Sequence, residues 1–324
     1  MARLLEIKNL STHFVTEHGI IRAVDGVDVT VDERETLGVV GESGCGKTVF
    51  ALSIMRLVPS PPGRIVAGNI FFNGVDLLSL HSEEMRRVRG KDISMIFQEP
   101  MTSLNPVLRI GAQIAEVIEL HRGLSSVEAL NRSVEMLRTV GMPSPEDVVK
   151  RYPHQLSGGM RQRAMIAMAM CCNPRLMLAD EPTTALDVTI QAQIIELMNR
   201  LKEETGMSVI LITHDLGVIA EAAQRVAVMY AGRIVEYSAV DILFSTPLHP
   251  YTIGLMESIP GIDTRERQPE YLKVIPGTVP PLYDLPAGCS FQDRCPHVMS
   301  VCREGELQLR EREPGHKVRC RLYE

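Results

Sequence analysis

The chain has 324 residues, 45% hydrophobic and 23% charged, with a formal net charge of −6. At roughly 150 residues per domain this length predicts about two domains, or one large domain with an appendage, and the composition excludes an intrinsically disordered chain. The acidic balance gives no whole-chain electrostatic reason to bind nucleic acid or an anionic membrane, and with no tryptophan and 4% aromatic residues base-stacking platforms are thinly supplied. The longest unbroken apolar run, Ala164–Cys172, falls far short of the ~20 residues that span a bilayer. Glu6 and Lys8 interrupt the N-terminus where the apolar core of a secretory signal would lie, so a cytosolic protein is expected. Seven cysteines, an odd count, argue against a disulfide framework in that compartment.

In chain order, alternating aliphatic residues predict strands at Leu4–Leu10 and Val24–Val31, and a short apolar strand at Glu35–Val40. A helix is expected from Lys47 to about Val58, ended by Pro59, Pro61, Pro62 and Gly63. Ile93–Phe97 reads as a buried strand, and the stretch from Pro106 to about Cys172 as mainly helical, including Ile110–Arg122 and Ser126–Val140. Strand-like runs return at Leu176–Ala179, Ser208–Thr213 and Arg225–Tyr230, with helical Ile190–Glu204 between the first two. Strands alternating with helices imply an α/β protein with a parallel sheet and a helical insertion at about 99–172. Beyond Gly254 the periodicity fades into a tail bearing Pro, Gly and Cys.

Gly41-x4-Gly46-Lys47-Thr48 lies after a predicted strand and before a predicted helix, which is the context a phosphate loop requires. Its intervening residues are Glu42, Ser43, Gly44 and Cys45. Glycines let the backbone wrap closely, so successive N–H groups can point at phosphate oxygens while the helix N-terminus adds partial positive charge. Lys47 would reach the β- and γ-phosphates and Thr48 would offer its hydroxyl to Mg²⁺. Cys45 is tolerated in such a loop because its backbone meets the phosphate. Leu176–Asp180 followed by Glu181 is an apolar strand ending in two carboxylates. Asp180 suits a Mg²⁺ ligand, through water, and Glu181 can polarise an attacking water. Ser157, in Leu156-Ser-Gly-Gly-Met160, fits an N-cap whose neighbouring N–H groups, with Gly158 and Gly159, would form a second anion site; the pentapeptide alone reads as an ordinary helix start, and its company with the phosphate loop favours the anion site. Two anion-binding helix starts suggest ATP held between two chains.

Together these motifs resemble those of ABC-transporter ATPase subunits: Gly41–Thr48, Gln98, Leu156–Met160, Asp180-Glu181, Ala185-Leu186-Asp187 and His214 occur in the family's order over about residues 3–240. The resemblance implies an α/β, RecA-like phosphate-loop core with a helical subdomain, dimerising head to tail around two ATP molecules. Ser157 and Gly159 would then contact the γ-phosphate held by the other subunit, and Asp187 would sit at the dimer seam. Gln98 would link Mg²⁺ and the attacking water to the membrane-facing side, and His214 would donate a hydrogen bond to the γ-phosphate. Phe14 lies where the family places an aromatic ring on adenine, a core position on a strand being the alternative. Met160 departs from the family's usual Gln without implying a dead site.

The tail resembles the C-terminal extension of dipeptide and oligopeptide importer ATPases through Leu248–Thr252, Ile275–Pro280 and Gly288–Cys295. This divides the chain into an ATPase domain over 1–254 and an extension over 255–324. The resemblance implies a second, different ATPase subunit, two membrane permease subunits and an external solute-binding protein as partners, no nucleic acid, and a peripheral position on the cytoplasmic face of the membrane. Nickel importers share this architecture. Cys289, Cys295, Cys302 and Cys320, separated by 5, 6 and 17 residues, can bind zinc or an iron–sulfur cluster as four thiolates, or remain free thiols. The absence of tight C-x2-C pairs weighs against zinc, and the resemblance implies a [4Fe–4S] cluster. Cys171 and Cys172 are expected in the core. A DNA-maintenance or translation ATPase is disfavoured by the lack of long heptad arms, a second core or a basic surplus, and a redox- or metal-sensing regulatory module is a third reading.

Overall fold

The computed structural model describes residues 2–99, 103–184, 186–258 and 274–324. Ala185 of the motif noted above, and 259–273 of the extension, lie outside the described residues. The chain opens with β1 (Arg3–Thr16), β2 (Gly19–Asp32), β3 (Thr36–Val40), α1 (Lys47–Ile54), β4 (Gly63–Phe72) and β5 (Val75–Asp76). Next come α2 (Ser82–Val88), β6 (Ile93–Ile96), α3 (Ile110–Arg122), α4 (Ser126–Thr139), α5 (Pro145–Val148), α6 (Gly158–Met170), β7 (Leu176–Asp180), α7 (Val188–Thr205) and β8 (Ser208–Thr213). The chain continues through α8 (Leu216–Ala222), β9 (Arg225–Tyr230), β10 (Arg233–Ala239), α9 (Val240–Ser245), α10 (Pro250–Glu257), β11 (Arg310–Glu313) and β12 (His316–Val318). It divides into two compact units, one built on Asp32–Glu35 and Ser79–Ile212, the other on Arg3–Val31, Thr36–Leu78 and Thr213–Glu324.

In the first unit β6, β7 and β8 run parallel, Ile93 opposite Leu176 and Leu176 opposite Ser208. β7 is buried along its whole length, as expected for a parallel strand covered on both faces. The helices α3, α4 and α6 pack together. Ile110, Ile114 and Ile118 of α3 are buried at helical spacing, which is the apolar stripe the sequence pattern announced. Ser125 and Glu128 form a capping box that starts α4. The run Ala164–Cys172 is a buried helix end, and Cys171 and Cys172 are core residues as expected.

The second unit holds an antiparallel sheet in the order β2-β1-β4-β5. β4 was not legible in the sequence, where Gly63 reads as a helix stop. Gly68 interrupts the strand's alternation because it sits in a bulge: its φ is +98°, and a Cβ there would lie 2.6 Å from the carbonyl oxygens of Lys8 and Asn9. The pairing register of β1 shifts at the same place, between Lys8 and Ser11. Helix α1 stops at Ile54 rather than near Val58, because Arg56 turns into the left-handed region at φ +51°. In the same unit β3 pairs parallel with β9, and β10 pairs antiparallel with β9 and β12.

The tail is more regular than its composition suggests. β12 pairs with β10 and β11 pairs with β12. β11 is Arg-Glu-Arg-Glu, exposed throughout, a charged strand that resists edge-to-edge pairing. Glu236 of β10 is fully buried and gathers the tail: its carboxylate accepts the N–H groups of Leu248 (2.7 Å) and His249 (2.8 Å) and lies 2.8 Å from His316 Nε2. His249 in turn accepts the N–H of Tyr251 and so caps α10, while burial pushes its own pKa down to about 3 and keeps it neutral. Glu236→Ala leaves the buried His249 N–H, the half-buried Leu248 N–H and the buried His316 ring without this partner, a change that costs ~3–5 kcal/mol. Urea unfolding of the full chain should show that loss; a loss below about 1 kcal/mol, the worth of one ordinary hydrogen bond, would contradict the role given to Glu236.

Candidate nucleotide site

The phosphate loop lies in the second unit, between the buried strand β3 and α1. The turn is so tight that side chains are excluded. A Cβ on Gly41 would stand 2.1 Å from the Met229 carbonyl oxygen, and one on Gly46, at φ +106°, would stand 2.0 Å from that of Ala23. Glycine alone fits both positions. Cys45 is buried, and burial pushes its thiol pKa up, so its side chain belongs to the core and its backbone to the loop. Ser43, Gly44 and Thr48 are exposed. The Lys47 ammonium is buried and donates to the carbonyls of Gly41 (2.7 Å) and Glu42 (3.0 Å). A bound phosphate would offer it charged oxygens in place of those neutral ones. Glu42 also receives two hydrogen bonds from Arg294, and its N–H donates to the Tyr251 hydroxyl.

Two further expected residues belong to this unit. His214 follows β8 and is exposed, while Asp215 beside it caps α8 by accepting the N–H groups of Gly217 and Val218. Phe14 is half-buried on β1, opposite Gly63, where a Cβ would meet its ring at 2.7 Å. Its described packing is therefore against β4.

The first unit holds the carboxylate pair. Asp180 ends β7 and is buried. Glu181 follows in the left-handed region, at φ +46°, a conformation that costs a non-glycine residue energy and persists where the surroundings fix it. Its Oε2 accepts from Gln98 Nε2 (3.0 Å) and from the Thr184 hydroxyl (2.8 Å), and its N–H donates to the Ile212 carbonyl. Gln98 and Glu181, 83 residues apart, are thus brought together. Thr184 was missed, although it lies three residues beyond Glu181, because a threonine in a turn carries no motif.

In the same unit Ser157 caps α6 by accepting the Met160 N–H, and Asp187 caps α7 by accepting the Ile190 N–H. A Cβ on Gly158 would meet Leu186 at 3.4 Å and one on Gly159 would meet Ile190 at 3.0 Å. The small residues therefore let the starts of these helices lie side by side, with Ser157 and Gly158 exposed.

The tail cysteines gather in the second unit. The Cys289 N–H donates to the Cys302 carbonyl at 2.8 Å. Burial pushes up the thiols of Cys289 and Cys295, and takes Cys320 to about 11, with the other three thiols adding to that shift. The four residues share one small module. Among the described residues, however, no three Cys, His, Asp or Glu side chains form a metal-holding group, so this geometry lends the iron–sulfur expectation no support.

Comparison with known proteins fits this arrangement. The ABC transporter family model matches residues 24–184, and the oligopeptide/dipeptide transporter C-terminal region matches residues 235–302. The chain is 54% identical over 317 residues to the probable peptide ABC transporter ATP-binding protein y4tR of Sinorhizobium fredii, covering 98% of this chain and 94% of the relative. It is 52% identical over 324 residues to the oligopeptide transport ATP-binding protein AppD of Bacillus subtilis, covering 100% and 98%. Among solved structures it resembles the dimeric post-hydrolysis state of the ATP-binding cassette MJ0796 bound to ADP and Pi, with a TM-score of 0.66 at 28% identity, covering 73% of this chain and 98% of the other. The fold is that of ABC ATPase cassettes, and the chain belongs to the ABC transporter family, among those ATP-binding proteins that carry the oligopeptide/dipeptide transporter C-terminal region.

Proposed function

We propose that this chain is the ATP-hydrolysing subunit of a peptide importer, in which ATP binding closes a dimer and hydrolysis lets it reopen. The observation that carries the reading is the Glu181 carboxylate, held at an unfavourable backbone angle by Gln98 and Thr184 at the end of a buried strand. A carboxylate fixed by two donors in this way is positioned to take a proton from water. The names of the relatives, peptide and oligopeptide transport proteins, favour peptides over nickel as the solute.

Residues Gly41–Thr48 would bind the phosphates through backbone N–H groups and Lys47, with Phe14 offered to the adenine. By the family resemblance Thr48, Asp180 and Gln98 would hold Mg²⁺, and a hydroxyl, a carboxylate and an amide oxygen are the ligand types a hard cation takes. Mg²⁺ held there would neutralise charge on the β- and γ-phosphates. Glu181 would accept the proton as water attacks the γ-phosphorus, forming one P–O bond while the bond to the bridging oxygen breaks. His214 would donate to a γ-phosphate oxygen as negative charge builds. Ser157, Gly158 and Gly159 would complete the site of the facing ATPase subunit, with Asp187 at the seam. Partners would be that second ATPase subunit, two permeases and an external binding protein. Among the described residues no helix is long and apolar enough to cross a membrane, so attachment at the cytoplasmic face would run through the permeases.

For the extension over 255–324, the donor set of four sulfurs in one module suits a [4Fe–4S] cluster on Cys289, Cys295, Cys302 and Cys320, with a structural role. Cys302 is buried and Cys289, Cys295 and Cys320 are half-buried; thiolates brought together there would repel one another, and metal ligation would relieve that repulsion.

Glu181→Gln keeps the shape and both neighbours but cannot accept the proton. Turnover in the assembled transporter should fall by at least ~100-fold while nucleotide binding persists; near-normal turnover would remove Glu181 as the base. Ser157→Arg should abolish turnover of the complex without weakening ATP binding by the isolated chain. Isolated chains that hydrolyse ATP as fast as the complex would contradict a site shared between subunits. Anaerobically purified protein should be brown and contain iron and sulfide. Colourless protein with stoichiometric zinc would falsify the cluster while keeping the four-thiolate site, and four freely alkylated thiols would remove both.

A further inference from the structure

Between Cys289 and Cys295 lies one arginine, Arg294, that the nucleotide chemistry does not use. Its side chain is 5% exposed, and every donor nitrogen has an acceptor. Nη1 and Nη2 donate to the two carboxylate oxygens of Glu42 at 2.7 and 3.0 Å, Nε donates to the Pro276 carbonyl at 2.9 Å, and Nη1 also reaches the Tyr230 hydroxyl at 3.5 Å. The guanidinium lies over the rings of Tyr230 and Phe291. Those rings join Tyr251 in a buried aromatic cluster with centroids 4.6–5.4 Å apart. Tyr251 in turn accepts the Glu42 N–H at 2.8 Å, and the Glu42 carbonyl accepts from Lys47. Glu42, next to Gly41 in the phosphate loop, is therefore held at its amide and at its carboxylate by residues from beyond position 250.

Such an arrangement does more than stabilise the fold. A glutamate at the rim of a loop could stay in water at no cost, whereas burying a guanidinium is expensive unless a forked acceptor meets it. Glu42 supplies that acceptor. The pairing also answers an electrostatic problem: an uncompensated carboxylate beside the loop would repel a triphosphate, and Arg294 neutralises it.

We propose that Arg294 is a positioning residue of the nucleotide site, through which the cysteine-bearing C-terminal module holds the phosphate loop and cancels the Glu42 charge so that ATP can bind. This rests on the reading of Gly41–Thr48 as the ATP site. Because coupling between two sites is reciprocal, whatever affinity the docked module adds to ATP, ATP returns as tighter docking of the module.

The test uses the full chain and a fluorescent ATP analogue with Mg²⁺. Arg294→Gln should weaken binding by roughly tenfold, within the usual range of such couplings. Adding Glu42→Gln to it should restore part of the affinity by removing the exposed charge, a recovery that simple loss of structure would not produce. Arg294→Lys, which keeps the charge without the fork, should bind with intermediate affinity and carries the test if Arg294→Gln does not fold. In the assembled transporter the KM for ATP should rise with kcat nearly unchanged. Amide hydrogen exchange in the C-terminal module should be slowed by ATP in the wild type and not in Arg294→Gln. Wild-type affinity in Arg294→Gln, or a double variant weaker than either single one, would overturn the coupling and leave the ATP reading intact. A wild-type chain that binds no nucleotide would overturn both.

Discussion

The phosphate loop turns where no side chain can follow. Gly41 and Gly46 pass so close to the carbonyls of Met229 and Ala23 that a single methyl group at either would collide. Loop conformation is therefore set by backbone contact with β9 and β2, not by anything a ligand brings, and the buried Lys47 ammonium is locked onto the loop's own carbonyls. Preorganisation of this kind is how a phosphate site gains affinity, since the ordering is complete before the ligand arrives. The aromatic cluster of Tyr230, Tyr251 and Phe291 and the Arg294–Glu42 pair extend the same constraint to residues near the end of the chain.

A second, independent device fixes the Glu181 carboxylate, the proposed proton acceptor. Strand β7 is buried through Asp180, and the chain then bends through the left-handed region at Glu181. Gln98 and Thr184 hold the side chain that this bend presents. Backbone strain at a position proposed to be catalytic, opposed by two hydrogen bonds, is where strain is expected to be stored. The helix starts at Ser157 and Asp187 reach their neighbouring positions by a third route, the small size of Gly158 and Gly159. Each device uses short-range chemistry to place one functional group.

That locality explains what could be read from the sequence. The loop, the Asp180-Glu181 pair, the Ser157 cap and the apolar stripes of α3 and α4 are each written in a few consecutive residues, and the structure places each in the expected kind of element. The contacts that escaped depend on distant partners. β4 hid behind Gly63 and the Gly68 bulge. β11 and β12 are a charged edge strand and a very short one, and they are strands only because β10 is there to pair with them. Arg294 finds Glu42 across 252 positions, and no local pattern marks the pairing, although Glu42, Arg294 and Tyr251 all stood inside segments already singled out. The four tail cysteines were singled out as a set in the sequence, yet among the described residues no three Cys, His, Asp or Glu side chains form a metal-holding group, and spacing carries no information on how closely sulfurs approach.

The central claim, that hydrolysis on this chain drives peptide movement, is tested most directly with the complete transporter reconstituted in lipid vesicles with its binding protein. With ATP·Mg²⁺ on the side of the ATPase subunits, the account predicts that peptide-loaded binding protein stimulates phosphate release and that peptide crosses the bilayer only while ATP is hydrolysed. Phosphate release that ignores the loaded binding protein, or peptide that crosses equally well without hydrolysis, would contradict it.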